Sequence, residues 1–248
     1  MPRLGSENLQ KQNAGHFGFS HTKIDDLAAN GASGYTLVTI VADHSGSTLG
    51  FQLPMEAALK EVIGACQKSQ RADNLLVRLV TFNSTVTEVH GFRLLSSIIL
   101  NDYDGVLPPN GLTALYDAST NAIEASNNYG KQLLEQDYDV NGIVVVITDG
   151  DNTCGALGVN QVKEALVQSV SGENLESMVS ILIGVNLQSH DIQQKLDAFY
   201  KDAGFTQFVP LADASRNTLA KLAQFISKSI SSQSQHLNSG GPSASINF

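Results

Sequence analysis

The chain has 248 residues, 42% of them hydrophobic, which is ample for one large domain with a substantial core. Its formal net charge of −9, with no long basic run, excludes a broad electrostatic grip on nucleic acid or anionic lipid. No apolar run approaches the length needed to span a bilayer, so neither a membrane nor a nucleic acid is expected as a partner.

Residues 1–34 are rich in Gly, Asn, Ser and His, lack the apolar core of a signal peptide, and carry only a short amphipathic patch at 24–29. They read as a polar N-terminal arm that packs on the domain or on a neighbour. The folded domain is expected over 35–230. Residues 35–42 are a β-branched apolar run, after which Met55, Leu59, Val62, Ile63 and Cys66 recur at helical spacing. Residues 75–82 and 85–90 read as a hairpin about the Asn83-Ser84 turn. A helix over 114–126 leads to a strand at 142–148, continuously apolar from Ile143 to Ile147. A helix at 160–170, a strand at 179–183, a helix at 191–201 and a short strand at 206–210 follow. Leu219, Leu222, Phe225, Ile226 and Ile230 then stripe a last helix. Residues 231–248 are rich in Ser, Gly and Asn and read as a flexible tail.

Strands of continuous Val and Ile are buried on both faces, and alternation of strand with helix builds a doubly wound sheet. The expected fold is therefore α/β and Rossmann-like: six strands, mostly parallel, one antiparallel edge strand, and helices on both faces. In such sheets ligands bind beyond the carboxyl ends of the strands. Three segments at such positions carry small oxygen donors: Asp43-His44-Ser45-Gly46-Ser47, Asn110-Gly111-Leu112-Thr113 and Asp149-Gly150-Asp151. Carboxylates and hydroxyls are hard ligands suited to Mg²⁺, Mn²⁺ or Ca²⁺. Ser45 and Ser47 alternate along an extended segment, so both hydroxyls can face one ion while Gly46 permits close backbone approach.

Asp43, Ser45 and Ser47 form D-x-S-x-S, and Thr113 and Asp149 follow in order on the matching elements. Together these five residues resemble the metal-ion-dependent adhesion site of von Willebrand factor A-like domains, over about residues 35–230. The resemblance implies that Ser45 and Ser47 ligate the ion directly and that Asp43 and Asp149 act directly or through water. Thr113 would join on ligand capture, and an Asp or Glu carboxylate of a partner protein would complete the octahedron. Mostly neutral donors would leave the cation electrophilic, so metal and partner would bind cooperatively. The resemblance also implies a last helix that slides on ligation. His44, between Asp43 and Ser45, would point away from the ion.

Turn and cap chemistry alone accounts for Asp43, Ser45 and Ser47, but not for Thr113 and Asp149 as well. Asp151 reads as an Asx-turn residue, and Asp117 as an outer acceptor or a solvated helix residue. His16, His21, His90, His190 and His236 are scattered and read as surface residues. Asp149, Asp151 and Thr153 also spell D-x-D-x-T after an apolar strand, which resembles the opening motif of haloacid-dehalogenase-like phosphohydrolases. That motif normally opens its domain, and here it does not. Neither a phosphate-binding G-x-x-x-x-G-K-[ST] loop nor a G-x-S-x-G elbow is present, and no base, nucleophile and orienting acid come together. Cys66 and Cys154 supply neither a disulfide framework nor metal-ligand spacing, and free thiols suit a reducing cytosol. The expectation is a cytoplasmic, non-enzymatic module that captures an acidic residue of a protein partner through a divalent cation. The alternatives are an assembly protein working through its arm and tail, and a Mg²⁺-dependent phosphohydrolase using Asp149 and Asp151.

Overall fold

In the computed structural model, which describes residues 9–15, 17–28, 30–237 and 248, the β-branched runs join one sheet. The elements in chain order are β1 (Leu9–Ala14), β2 (Phe17–Thr22), α1 (Ile24–Ala28), β3 (Gly34–Asp43), α2 (Gln52–Gln67), β4 (Leu75–Phe82) and β5 (Val86–Leu94). They continue as α3 (Leu115–Leu134), β6 (Asp139–Thr148), α4 (Val159–Ser171), β7 (Ser177–Gly184), α5 (His190–Ala203), β8 (Gln207–Pro210) and α6 (Arg216–Gln235). The strand order is β1-β2-β5-β4-β3-β6-β7-β8. From β4 through β8 neighbours are parallel, and β5 runs antiparallel to β4. Every residue of β3 is buried, as expected of a strand covered on both faces.

Alternate strand residues feed two cores. Val38, Ile40, Ile143 and Ile181 pack under α2 and α6 on one face, while Val41, Val80, Val144 and Leu182 pack under α3, α4 and α5 on the other. The helical stripe beginning at Met55 and the α6 stripe of Leu219, Leu222, Phe225, Ile226 and Ile230 both lie in the first core.

The sheet has eight strands rather than the six expected, because part of the polar arm packs on the domain as two further strands. Residues 9–22 form an antiparallel hairpin whose inner strand, β2, pairs parallel to β5 at His21 and Phe92. Backbone pairing there is sparse, and side chains supply the rest. Glu88 of β5 accepts from the Ser20 backbone N–H (3.0 Å) and hydroxyl (2.5 Å), and the Thr22 hydroxyl donates to the Phe92 carbonyl (3.1 Å). Gly91 lets the two backbones meet, since a Cβ there would overlap the Ser20 carbonyl. Phe19, Leu27, Phe92 and Tyr129 close a third apolar cluster over the joint.

Burial overturns the surface reading of two histidines. His21 is buried in that cluster, its Nδ1 donating to the Thr22 carbonyl (2.9 Å) and its ring against Tyr129, and burial lowers its pKa. His90 is buried too, bonded to the Tyr103 hydroxyl (2.8 Å), and burial pushes its pKa down to about 4. His190 is exposed, and His16 lies outside the described residues.

The C-terminal boundary also moves. α6 runs past residue 230 to Gln235, where the Gln233 amide bonds the Gly142 carbonyl and the Ser177 hydroxyl, and its own carbonyl accepts from Asn141. Residues 238–247 of the expected tail lie outside the described residues.

Candidate metal centre

Chain direction places the candidate site. From β3 the chain moves through α2 to β4 on one side, then returns through α3 to β6 on the other side of β3. The carboxyl ends of β3 and β6 therefore flank a switch point, where a crevice must open because the connections leave in opposite directions. Asp43 ends β3, and Asp149 directly follows Thr148 at the end of β6.

Four of the five expected residues form one chain of hydrogen bonds in this crevice, made by their side chains and the Ser45 backbone N–H. Asp43 accepts the Ser45 backbone N–H at Oδ1 and the Thr148 hydroxyl at Oδ2, both at 2.7 Å. The Ser45 and Ser47 hydroxyls lie 3.1 Å apart, and the Ser47 hydroxyl donates to Asp149 Oδ1 at 2.8 Å. Because Ser47 has a single proton and gives it to Asp149, Ser45 must be the donor between the two serines. Asp43, Ser45 and Asp149 are buried, whereas Ser47 is exposed and marks the mouth.

Thr113, the fifth residue, is brought alongside without joining this chain of bonds. Its loop is tied to the first one by backbone bonds, Gly46 N–H to the Gly111 carbonyl (3.1 Å) and Asn110 N–H to the His44 carbonyl (2.9 Å). Gly111 adopts φ +76°, a left-handed turn that glycine takes without steric cost. Thr113 itself is clamped by Thr153, whose hydroxyl accepts its N–H (2.8 Å) and whose N–H donates to its carbonyl (2.9 Å). Among the described residues its hydroxyl bonds to none of the other four. His44 is buried against the neighbouring loop, its Nδ1 donating to the Pro108 carbonyl at 2.9 Å.

The sequence matches the von Willebrand factor type A domain over residues 38–224. The chain belongs to that family. Among solved structures it resembles the PilB minor pilin from Streptococcus sanguinis, with a TM-score of 0.60 at 16% identity, covering 85% of this chain and 64% of that one. It also resembles the pilus adhesin SpaC from Lactobacillus rhamnosus GG, with a TM-score of 0.56 at 12% identity, covering 80% of this chain and 30% of that one. The vWA chain thus spans less than two thirds of either protein, and identities this low show a shared fold. No curated protein sequence matches it. Among the described residues no helix is long and apolar enough to cross a membrane.

The electrostatics of the vWA crevice are those of two acids without a counterion. Among the described residues neither Asp43 nor Asp149 pairs with a Lys or Arg. Burial pushes the Asp149 carboxyl up to about 6, the nearby Asp43 charge adds to this, and the Ser47 hydrogen bond partly opposes it. Burial also raises Asp43, against the hydrogen bonds from Thr148 and Ser45. The donor set, two carboxylates and two hydroxyls, fits a hard divalent cation. Among the described residues no group of three or more His, Cys, Asp or Glu could hold a metal ion, hard or soft, so a cation here would depend on the serine hydroxyls as well as on the two carboxylates.

A pH dependence follows. A folded-state pKa above the ordinary 3.8 means that the folded chain holds the Asp149 proton more tightly than the unfolded chain does. Its stabilising contribution is present at low pH and is lost as pH rises through about 6, by about 3 kcal/mol in full. In EDTA, Asp149→Asn should lose less stability than wild type between pH 4 and pH 6, and Mg²⁺ should flatten the wild-type curve. Parallel EDTA melting curves for the two proteins would refute this account.

Sequence reasoning missed the residues that hold the loops. Thr148 fixes the Asp43 carboxylate, and the only hint was a polar residue closing an apolar strand. Asn152 accepts the Tyr116 N–H at the start of α3 (3.2 Å), and Asp117 accepts the N–H groups of Ala156 (3.1 Å) and Leu157 (2.9 Å). Asp117 is therefore a loop anchor. Asp151 accepts the Asn152 N–H (2.7 Å), a local loop contact, and reaches Lys195 at 3.5 Å.

Proposed function

We propose that this vWA domain is a divalent-cation-dependent protein-binding module. The observation that carries the proposal is the pair of buried carboxylates, Asp43 and Asp149, linked through the Ser45 backbone N–H and the Ser45 and Ser47 hydroxyls and lacking any basic partner among the described residues. A cation, Mg²⁺ first and Mn²⁺ or Ca²⁺ otherwise, would offset the burial and the nearby Asp43 charge that together raise the Asp149 pKa. Asp43, Ser45, Ser47 and Asp149 would hold it, and it would supply a Lewis-acidic point for one further anion. That anion is an Asp or Glu carboxylate of a partner protein, with Thr113 joining as the partner arrives. The free hydroxyl of Thr113 and its position one loop away support this order of events.

The proposed setting is a multi-component cytosolic system. Both cysteines are free, and burial pushes the Cys66 thiol up to about 12, leaving it unreactive. The structural relatives are a pilin and an adhesin, and at 16% and 12% identity the likeness shows a shared fold and does not move this chain to a surface. The proposed role is non-catalytic. In the phosphohydrolase reading Asp151 would be the acid/base, yet its carboxylate is engaged with Asn152 and Lys195, and Thr153 with the Thr113 backbone. The assembly reading loses part of its arm, because β2 is used within the chain's own sheet.

Capture of partners from the native source, compared in Mg²⁺ and in EDTA, tests the proposal. Wild type should retain an acidic-motif partner only in Mg²⁺, and Ser45→Ala with Ser47→Ala should lose it while staying folded. Retention by the double variant in EDTA would instead favour assembly through other surfaces.

A further inference from the structure

Seven large apolar side chains are exposed among the described residues, and three of them belong to the loops and helix start at the candidate metal centre. Leu49 is 74% exposed, Leu53 68% and Leu112 55%. Single exposed leucines are ordinary on protein surfaces, so position is what matters. Leu112 directly precedes Thr113. It is held outward by the left-handed turn at Gly111 and by its N–H bond to the Ser84 hydroxyl (2.8 Å). Leu49 lies two residues past Ser47, just before Gly50 at φ +107°. Leu53 stands in the first turn of α2 but off the stripe of Met55, Leu59, Val62, Ile63 and Cys66 that enters the core. The backbone bond from Gly46 to Gly111 draws the loops bearing Leu49 and Leu112 together, with exposed Ser47 at the mouth.

We infer that Leu49, Leu53 and Leu112 form an apolar collar that selects partners whose acidic residue lies among aliphatic side chains. The inference rests on the metal-dependent capture proposed above and names the chemistry of the captured segment. Charge complementarity supplies the centre: two uncompensated carboxylates call for a cation, and the cation calls for an anion. The collar supplies the surround. In an extended partner segment the residues two positions either side of the acid point the same way as the acid, and they would lie on these leucines. Covering the leucines would also expel water from the carboxylate–cation contact and strengthen it, since fewer dipoles then screen the charges. A free inorganic anion would gain nothing from such a collar, so a protein segment is the occupant it fits.

The test uses displayed short peptides with a fixed central Asp and random flanks, selected on the full chain in Mg²⁺ and in EDTA. Wild type should enrich Leu, Ile, Val, Met or Phe two positions from the Asp, in Mg²⁺ only. Leu49→Ser, Leu53→Ser and Leu112→Ser together should lose that enrichment and weaken the best wild-type peptide by roughly a hundredfold to a thousandfold, at about five- to tenfold for each leucine uncovered. The Mg²⁺-induced rise in melting temperature should persist in the same variant, which separates the collar from the metal site. Mg²⁺-dependent peptides without apolar flanks, equal binding to the leucine variant, or a metal-stabilised wild type that enriches no peptide would each overturn the collar. So would self-association in EDTA that the leucine variant abolishes, since a second copy would then be the occupant. Absence of any metal-induced rise in wild type would instead overturn the underlying metal reading, and the collar with it.

Discussion

Millimolar Mg²⁺ is expected to raise the wild-type melting temperature by roughly 5–10 °C and to leave that of Asp43→Ala unchanged. The rise follows from linkage. A ligand at about a hundred times its dissociation constant stabilises the folded state by about 2.7 kcal/mol, and each kcal/mol moves the midpoint of a chain this size by roughly 2–4 °C. Asp43 carries the effect because its two oxygens also hold Ser45 and Thr148 in place, so its loss removes a ligand and loosens another. For that reason Asp43→Ala should start lower in EDTA, by about 1–3 kcal/mol for the groups left unpaired. The quantity that decides is the increment on adding metal. Ser47→Ala, at an exposed position, should shrink the increment with little change in the EDTA baseline. An equal rise in wild type and Asp43→Ala would place the cation elsewhere.

The second large effect lies away from the crevice. Arg78 of β4 is almost wholly buried, with Nε donating to Glu88 at 2.7 Å, Nη2 donating to Asn121 at 2.9 Å, and the guanidinium 5.9 Å from the Phe92 ring centre. Its Nη1 is buried with no hydrogen-bond partner among the described residues. Glu88 is thus the counterion of a buried charge and, through Ser20, the anchor of the β1–β2 hairpin. Glu88→Ala should cost about 3–5 kcal/mol, the usual penalty for stranding one member of a buried pair. It should also speed hydrogen exchange across β2 ahead of global unfolding. Adding Arg78→Met should recover much of the loss, because the penalty comes from the unpaired guanidinium rather than from a missing attraction. If Glu88→Ala cost under 1 kcal/mol, or the second substitution made matters worse, the ion pair would not be what seats the hairpin.

The sequence by itself determined the sheet from 35 to 210, the helices between its strands, and the five candidate site residues, of which hydrogen bonds link Asp43, Ser45, Ser47 and Asp149. Side-chain periodicity is a local property, and the runs at Ile143 to Ile147 and Leu219 to Ile230 are long enough to show which faces are buried. D-x-S-x-S is legible as a local motif, although Ser45 and Ser47 meet across a 3-10 turn at Gly46–Thr48 and not along the extended segment expected. Tertiary structure alone decided where polar residues find partners. Ser20 and His21 sit in a segment that reads as a soluble arm, and only Glu88, Gly91 and Tyr129, far along the chain, make their burial affordable. Gln233 looked like the start of a tail until Asn141 and Ser177 met it. Thr113 and Asp149 could be matched by order, but the clamp by Thr153 and the anchor at Asp117 join loops some forty residues apart. Apolar burial is written into spacing because any apolar neighbour will serve. A buried polar group needs one particular partner, and the fold chooses it.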